Sequence, residues 1–250
     1  NGAYEDGIDT YKSAICIYDS LGSKRYFEAM LAYIYLMVQI GDINMAIDLA
    51  EILQSDIIRV YGKQSPIYCR TNILLYELYY DYKKEVKARN YLTENLSILR
   101  TLNNPMLYAS TISKLGQFYN AFDIEKAISY HNEALYIYDS ILKLPELHSG
   151  RSQIMTNIGE SYLLAGNHQK SLKILLESKE IMRNDYSEFE HGILDYLLGT
   201  NYYYLDDYWT SKKYLENSLK LEENMHGRQT HNYVTSLSSL SQCYLALGDW

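Results

Sequence analysis

The sequence predicts an all-α protein, a solenoid of stacked antiparallel helical hairpins, and three observations predict it. Six apolar, helix-periodic runs close at Met37, Tyr79, Tyr119, Tyr162, Tyr202 and Tyr244. Each is followed by a short turn of Gly, Asp, Asn or Lys, and all but the last of these turns leads into a second amphipathic run. Beyond the turns, small residues recur at Ala46, Ala88, Ala127, Ser171 and Ser211, with gaps of 42, 39, 44 and 40 residues, the range in which helical hairpins stack on one another.

The elements follow in order. Residues 3–20 read as a second helix whose partner is missing. The hairpins at about 23–60 and 66–101 are degenerate: Ile34 and Tyr76 occupy the small position, Met37 replaces the ring, and Leu53 and Asn95 replace the second small residue. In the hairpin at 105–142, Gly116, Tyr119, Ala127 and Ala134 keep the pattern, but Tyr119 to Ala127 is eight residues rather than nine and Phe122-Asp123 stands for Gly-Asp, which predicts a tighter or distorted turn. The clearest unit is 149–184. Ile154, Ile158, Tyr162 and Ala165 form one stripe, Gly166-Asn167 breaks it, and Ser171, Leu172, Leu175 and Ser178 resume it. Gly159 sits three residues before Tyr162, so small residues stand where two backbones must approach and a ring where the gap must be filled. Residues 187–224 repeat this as Gly199, Tyr202, Ser211 and Ser218, and a lone first helix at 230–247 carries Ser241 and Tyr244. Pro66 and Pro105 mark helix starts. One continuous array of twelve helices over residues 1–250 is the expectation, with unpartnered helices at both ends that predict a piece cut from a longer chain.

Composition agrees and excludes several function classes. With 250 residues and 47% hydrophobic content a large core can be buried, and three prolines with 13 glycines favour helix. The 28 tyrosines predict rings packed between helices with hydroxyls at the rim. The net charge of −8, with no basic cluster, disfavours nucleic-acid binding. The longest apolar run, Ala29 to Val38, falls short of the roughly 18 residues a membrane span needs, so no membrane insertion is expected. Cys16, Cys69 and Cys243 are odd in number, widely spaced and set among apolar residues, which suits core side chains in a reducing compartment; the cytoplasm is favoured and the periplasm left open.

No catalytic constellation is legible, and no cofactor or metal is expected. His226 and His231 are five apart in a linker, and His131, His148, His168 and His191 are scattered over turns and helix flanks, where surface placement is the expectation. No Gly-rich phosphate loop, Gly-x-Ser-x-Gly elbow or His-Glu-x-x-His helix occurs. Asp206-Asp207 sits at a turn and Glu222-Glu223 at a helix end, and the turn acids predict caps or solvated charge. Asn95-Leu96-Ser97 matches a glycosylation acceptor by chance within a helical pattern.

Leu115-Gly116-Gln117-Phe118-Tyr119, Ile158-Gly159-Glu160-Ser161-Tyr162, Leu198-Gly199 with Tyr202, and Leu240-Ser241 with Tyr244, each with its downstream small residues, resemble the tetratricopeptide (TPR) family. The period, about 41 residues against the family's 34, is similar to the longer repeat of kinesin light chains and of bacterial TPR regions attached to CHAT-type protease domains, and Tyr233 through Asp249 carries that likeness best. The resemblance implies a right-handed superhelix whose first helices line a concave groove, with ligand contacts at fixed offsets from the Tyr position. Carried onto this chain they include Tyr35 and Gln39 in the first hairpin and Arg70, Glu77, Tyr80 and Asp81 in the second. Gln117, Asn120 and Glu160 follow in the third and fourth, then Tyr196, Thr200, Tyr203 and Tyr204 in the fifth, and Gln242 in the last helix. This lining is polar and acid-rich and lacks the Lys/Asn/Arg set of chaperone-docking TPRs, so a protein or peptide partner of basic character suits it. A non-catalytic docking scaffold is the leading expectation. The alternatives are a regulatory arm of an enzyme or signalling protein, with a CHAT-type protease, kinase or DNA-binding module elsewhere in the chain, and a self-assembly module.

Overall fold

A computed structural model describes residues 2–23, 25–81, 84–142, 148–182, 188–226 and 231–248. Among them are twelve α-helices: α1 (Gly2–Ser20), α2 (Arg25–Gln39), α3 (Ile43–Tyr61), α4 (Pro66–Asp81), α5 (Glu85–Leu102), α6 (Pro105–Tyr119), α7 (Ile124–Ile137), α8 (His148–Leu164), α9 (His168–Met182), α10 (Glu188–Tyr204), α11 (Tyr208–His226) and α12 (His231–Leu247). A π-type turn, Tyr138–Leu142, extends α7. None of the described helices is long and apolar enough to cross a membrane.

The chain divides into two compact units, Asn1–Thr111 and Ile112–Trp250. In unit 1, α1 packs on α2, α2 on α3, α3 on α4 and α4 on α5. In unit 2 each of α7 to α12 packs on the next, and in addition α8 touches α10 and α10 touches α12. Sequential packing with next-but-one contacts between first helices is the stacking of a helical-repeat array. The cores are aliphatic: Ile34, Leu53 and Ile57 are fully buried in unit 1, and Leu175, Leu194, Leu198 and Leu215 in unit 2.

Chain reversal inside the hairpins follows one rule with one exception. The N–H groups of Asp42, Lys84, Asn167 and Asp207 donate to the carbonyls of Met37, Tyr79, Tyr162 and Tyr202, five residues back. Gly41, Gly166 and Asp206 adopt left-handed φ values of 82°, 71° and 63° within three of these turns, closing the helix end in the Schellman manner. Before α7 the Asp123 N–H instead reaches the Tyr119 carbonyl four residues back, at 2.7 Å, so the expected tighter turn is one residue shorter. The turn acids are caps: Asp42, Asp123 and Asp207 accept from the N–H groups of Met45, Lys126 and Thr210 at 3.0–3.1 Å, meeting otherwise orphaned helix donors.

The small residues do more than make room. Ser171 Oγ donates to the Gly159 carbonyl at 2.6 Å and Ser211 Oγ to that of Gly199 at 2.7 Å, each 12 residues back. At the second small position, Ser178, Ser218 and Asn95 donate to the carbonyls of Ser152, Gly192 and Cys69, each 26 residues back. A Cβ on Gly199 would lie 2.7 Å from Leu215 Cγ, and Gly159 faces Leu175 in the same way. Tyrosines also pair between the two helices of a hairpin. Tyr79 stacks on Tyr91, Tyr119 on Tyr130 and Tyr202 on Tyr214, with ring centroids 5.6–5.9 Å apart. Lys87, Lys126 and Lys179 lie 4.0–4.4 Å over rings of these pairs, contacts worth about 0.5–1 kcal/mol each where exposed.

Two sequence expectations are corrected. Cys16 is exposed, because α1 has only one face covered, by α2, whereas Cys69 and Cys243 are buried as expected. Burial, with the Glu94 carboxylate second, pushes the Cys69 thiol up to about 11. His131 is fully buried rather than on the surface. Its ring fills the space beside Gly116, where an added Cβ would meet it at 2.5 Å. Glu222 is also buried, 8% exposed, since it lies on the face of α11 that carries Ser218. The Asn95 acceptor is enclosed: its amide bonds to Asn72 and to the Cys69 carbonyl.

Candidate functional site

In unit 2, first helices stacked at next-but-one spacing leave a cavity of ≈ 240 Å³. Glu160 enters it from α8, Ile193, Tyr196 and Leu197 from α10, and Thr235 and Ser236 from α12, while Gly192 leaves room and α11 supplies Ser218 and Glu222. Local packing sets these positions. Ser218 Oγ holds α11 against α10 through the Gly192 carbonyl at 2.8 Å and lies 3.4 Å from Ser236 Oγ on α12. The Tyr196 ring is seated on both apolar clusters of unit 2, one around Leu175, Leu194 and Leu198 and the other around Leu215 and Leu240.

Two acids in this region have opposite fates. Asp195, buried on α10, receives the Lys179 ammonium at 2.5 Å and the Asn217 amide. The Glu160 carboxylate pairs with no cation and no hydrogen-bond donor among the described residues. Burial alone raises its pKa above the ordinary carboxylate range, the direction expected when water is stripped from a charge and nothing replaces it. The cavity is thus an apolar-walled recess ringed by hydroxyls, with an uncompensated acid in its wall.

A polar ridge lies beside it. Asn157 on α8 donates to Ser113 Oγ at 3.2 Å, and its Oδ1 accepts from Gln117 and Gln153 at 3.1 and 3.2 Å. Ser161 donates to Asn120 at 2.6 Å. Of the residues assigned to the groove, Glu160 and Tyr196 therefore reach the cavity, and Gln117 on α6 and Asn120 in the turn after it bond to α8. Thr200 is turned inward to the Tyr196 carbonyl. Tyr203 packs on the Leu215 cluster, Tyr204 is 57% exposed and stacks on His168 at 4.6 Å, and Gln242 is exposed on α12.

In unit 1, Tyr35, Gln39 and Arg70 are exposed, Glu77 and Tyr80 half-buried, and Tyr80 stacks on Tyr76 at 5.5 Å. Burial and then the Glu77 carboxylate raise the Tyr35 hydroxyl pKa. The Asp81 side chain lies outside the described residues. Offsets along first helices could not reveal Ser218 and Glu222, which come from a second helix. The available signal was that Glu222 follows the small-position Ser218 by four residues and so shares its face.

No family model matches the chain, and no curated protein matches it by sequence. Solved structures match it by fold. A signal transduction ATPase (STAND) protein with a tetratricopeptide repeat sensor from Pyrococcus horikoshii superposes with TM-score 0.66 at 18% identity, over 94% of this chain and 34% of that one. Kinesin-light-chain TPR-like repeats of Podosopora anserina give 0.58 at 15% identity, over 79% and 95%.

The fold is TPR-like.

A Rap protein complexed with Competence and Sporulation Factor also shares the TPR-like fold, with TM-score 0.60 at 16% identity, over 89% of this chain and 71% of that chain.

Proposed function

We propose that this TPR-like protein is a non-catalytic scaffold that binds a peptide or protein segment of basic character on the α8–α10–α12 face of unit 2. The observation that carries this reading is the cavity on that face, with Glu160, unpaired among the described residues, in its wall and the anchored Tyr196 ring beside it. TPR-like arrays expose such faces between stacked first helices, and the Rap structure holds a bound factor on the same fold. A stiff ring set in packed surroundings gives contact area at small entropic cost, and an acidic recess selects against acidic segments.

Selection from a displayed random-peptide library tests it. Lysine- or arginine-bearing sequences are expected to emerge, and Tyr196→Ala, with its helicity checked by circular dichroism, is expected to weaken them about tenfold, since anchor truncations typically remove 1–2 kcal/mol or more. Failure to select any peptide, or full binding by a folded Tyr196→Ala variant, overturns the assignment to this face. A second reading, the sensing arm of a larger signalling protein, draws on the fit to part of the STAND protein. Under it, partner binding changes the activity of a covalently linked module in the full-length product.

A further inference from the structure

We infer that the Glu160 cavity is a lysine pocket, taking the ammonium head and methylene stem of a lysine side chain on the bound segment. The inference rests on reading this face as a binding surface and adds the chemistry of what enters it. Among the described residues the titratable groups lining the cavity are Glu160 from α8, Tyr196 from α10 and Glu222 from α11, and α12 contributes the hydroxyls of Thr235 and Ser236. No cationic side chain among the described residues lines it.

An ammonium carries three donors directed tetrahedrally, so it needs several acceptors converging from different walls. The Glu160 carboxylate on α8 and the hydroxyl oxygens of Tyr196 on α10, Ser218 on α11 and Ser236 on α12 offer acceptors from four walls. A guanidinium asks instead for a planar, two-pronged acceptor on one side. Ile193, Leu197 and the Tyr196 ring provide an apolar sleeve for a methylene stem and a π face for the charge. Among the described residues no group of three or more His, Cys, Asp or Glu is placed to hold a metal ion, so a bare divalent cation, which requires a denser oxygen cage, does not fit. The desolvation that raises the Glu160 pKa is what a buried cation would reverse. Asp195, one helix over, shows the satisfied version of the same arrangement with Lys179.

The test measures binding to the protein and to its Glu160→Gln variant, by titration calorimetry and by thermal shift. The probes are n-butylammonium, n-butanol, an N-acetylated and C-amidated Ala-Lys-Ala tripeptide, and a dialanine amide whose only cation is its α-amine. We expect n-butylammonium and the blocked lysine tripeptide to bind saturably and raise the melting temperature, the alcohol and the α-amine probe to do neither, and Glu160→Gln to lose at least about tenfold for both binders. Without ligand, Glu160→Gln is expected to melt higher than the parent, because a desolvated carboxylate has been replaced by a neutral amide. Unchanged binding of n-butylammonium by Glu160→Gln, or equal binding of the alcohol, overturns the pocket. Binding of n-butylammonium or the α-amine probe without the lysine tripeptide overturns the lysine assignment and points to a free amine or a chain terminus. Library-selected peptides that bind this face without lysine, and with full affinity for Glu160→Gln, overturn the pocket while leaving the docking face standing.

Discussion

His131 stands four residues beyond Ala127, as Leu175 and Leu215 stand four beyond Ser171 and Ser211. A core leucine position has been given an imidazole. Its Nδ1 lies 3.4 Å from Ser113 Oγ, its Nε2 is buried without a hydrogen-bond partner among the described residues, and desolvation lowers its pKa from 6.5 to about 4. The folded state therefore refuses a proton that the unfolded chain accepts. Stability should be intact above pH 6.5 and decline as pH falls toward about 4, at about 1.4 kcal/mol per pH unit and by roughly 3 kcal/mol in all. Urea denaturation at closely spaced pH values measures the slope. His131→Leu should flatten it and hold or raise stability at neutral pH, since leucine already fits beside Gly159 and Gly199. A slope unchanged in the variant would mean that other groups carry the acid sensitivity. The registration that reveals this residue was present in the sequence. Its burial was not, because a histidine near a turn reads as surface until the small-residue offsets are used to place it.

At the scale of the helix pair, glycine is required by contact rather than by turn geometry. Ala in place of an exposed helical Gly ordinarily stabilises by about 1 kcal/mol. At Gly199 the added methyl would press on Leu215, so the sign should reverse and the substitution should destabilise by about 1–3 kcal/mol. Thermal melts of Gly199→Ala, with and without Leu215→Ala, test the pairing: the two effects should be less than additive if the methyl and Leu215 compete for one space. Asp123→Ala should lower stability by about 1 kcal/mol through loss of the Lys126 cap. The hairpins, the seams at Gly159 and Gly199 and the shortened turn at Phe122-Asp123 were all legible, because spacing encodes them. The hydrogen bonds from Ser178, Ser218 and Asn95 and the stacked tyrosine pairs were not. Periodicity says which face a residue occupies and is silent about which partner it meets there.

At the scale of the molecule, stability in a stacked array is a sum over neighbours. Within unit 2, hydrogen exchange on Gly199→Ala should therefore show the largest loss of protection in α10 and α11, a smaller one in α9 and α12, and little in α7. Uniform loss across unit 2 would mean that it unfolds as a single cooperative body. The fold could be read from sequence because each hairpin repeats the same local instruction. The cavity could not, because it is assembled from α8, α10, α11 and α12 together: Glu160, Ile193, Tyr196 and Thr235 stand at groove offsets along first helices, whereas Ser218 and Glu222 come from a second helix. The three cysteines carry a practical consequence of the same architecture. Cys16 is open to solvent, while Cys69 in unit 1 and Cys243 in unit 2 are enclosed and their thiols held protonated by burial. A maleimide should accordingly label the native chain once, at Cys16, within minutes. Slow alkylation at the other two, followed by mass spectrometry, then times the breathing of each unit with a reporter already in place.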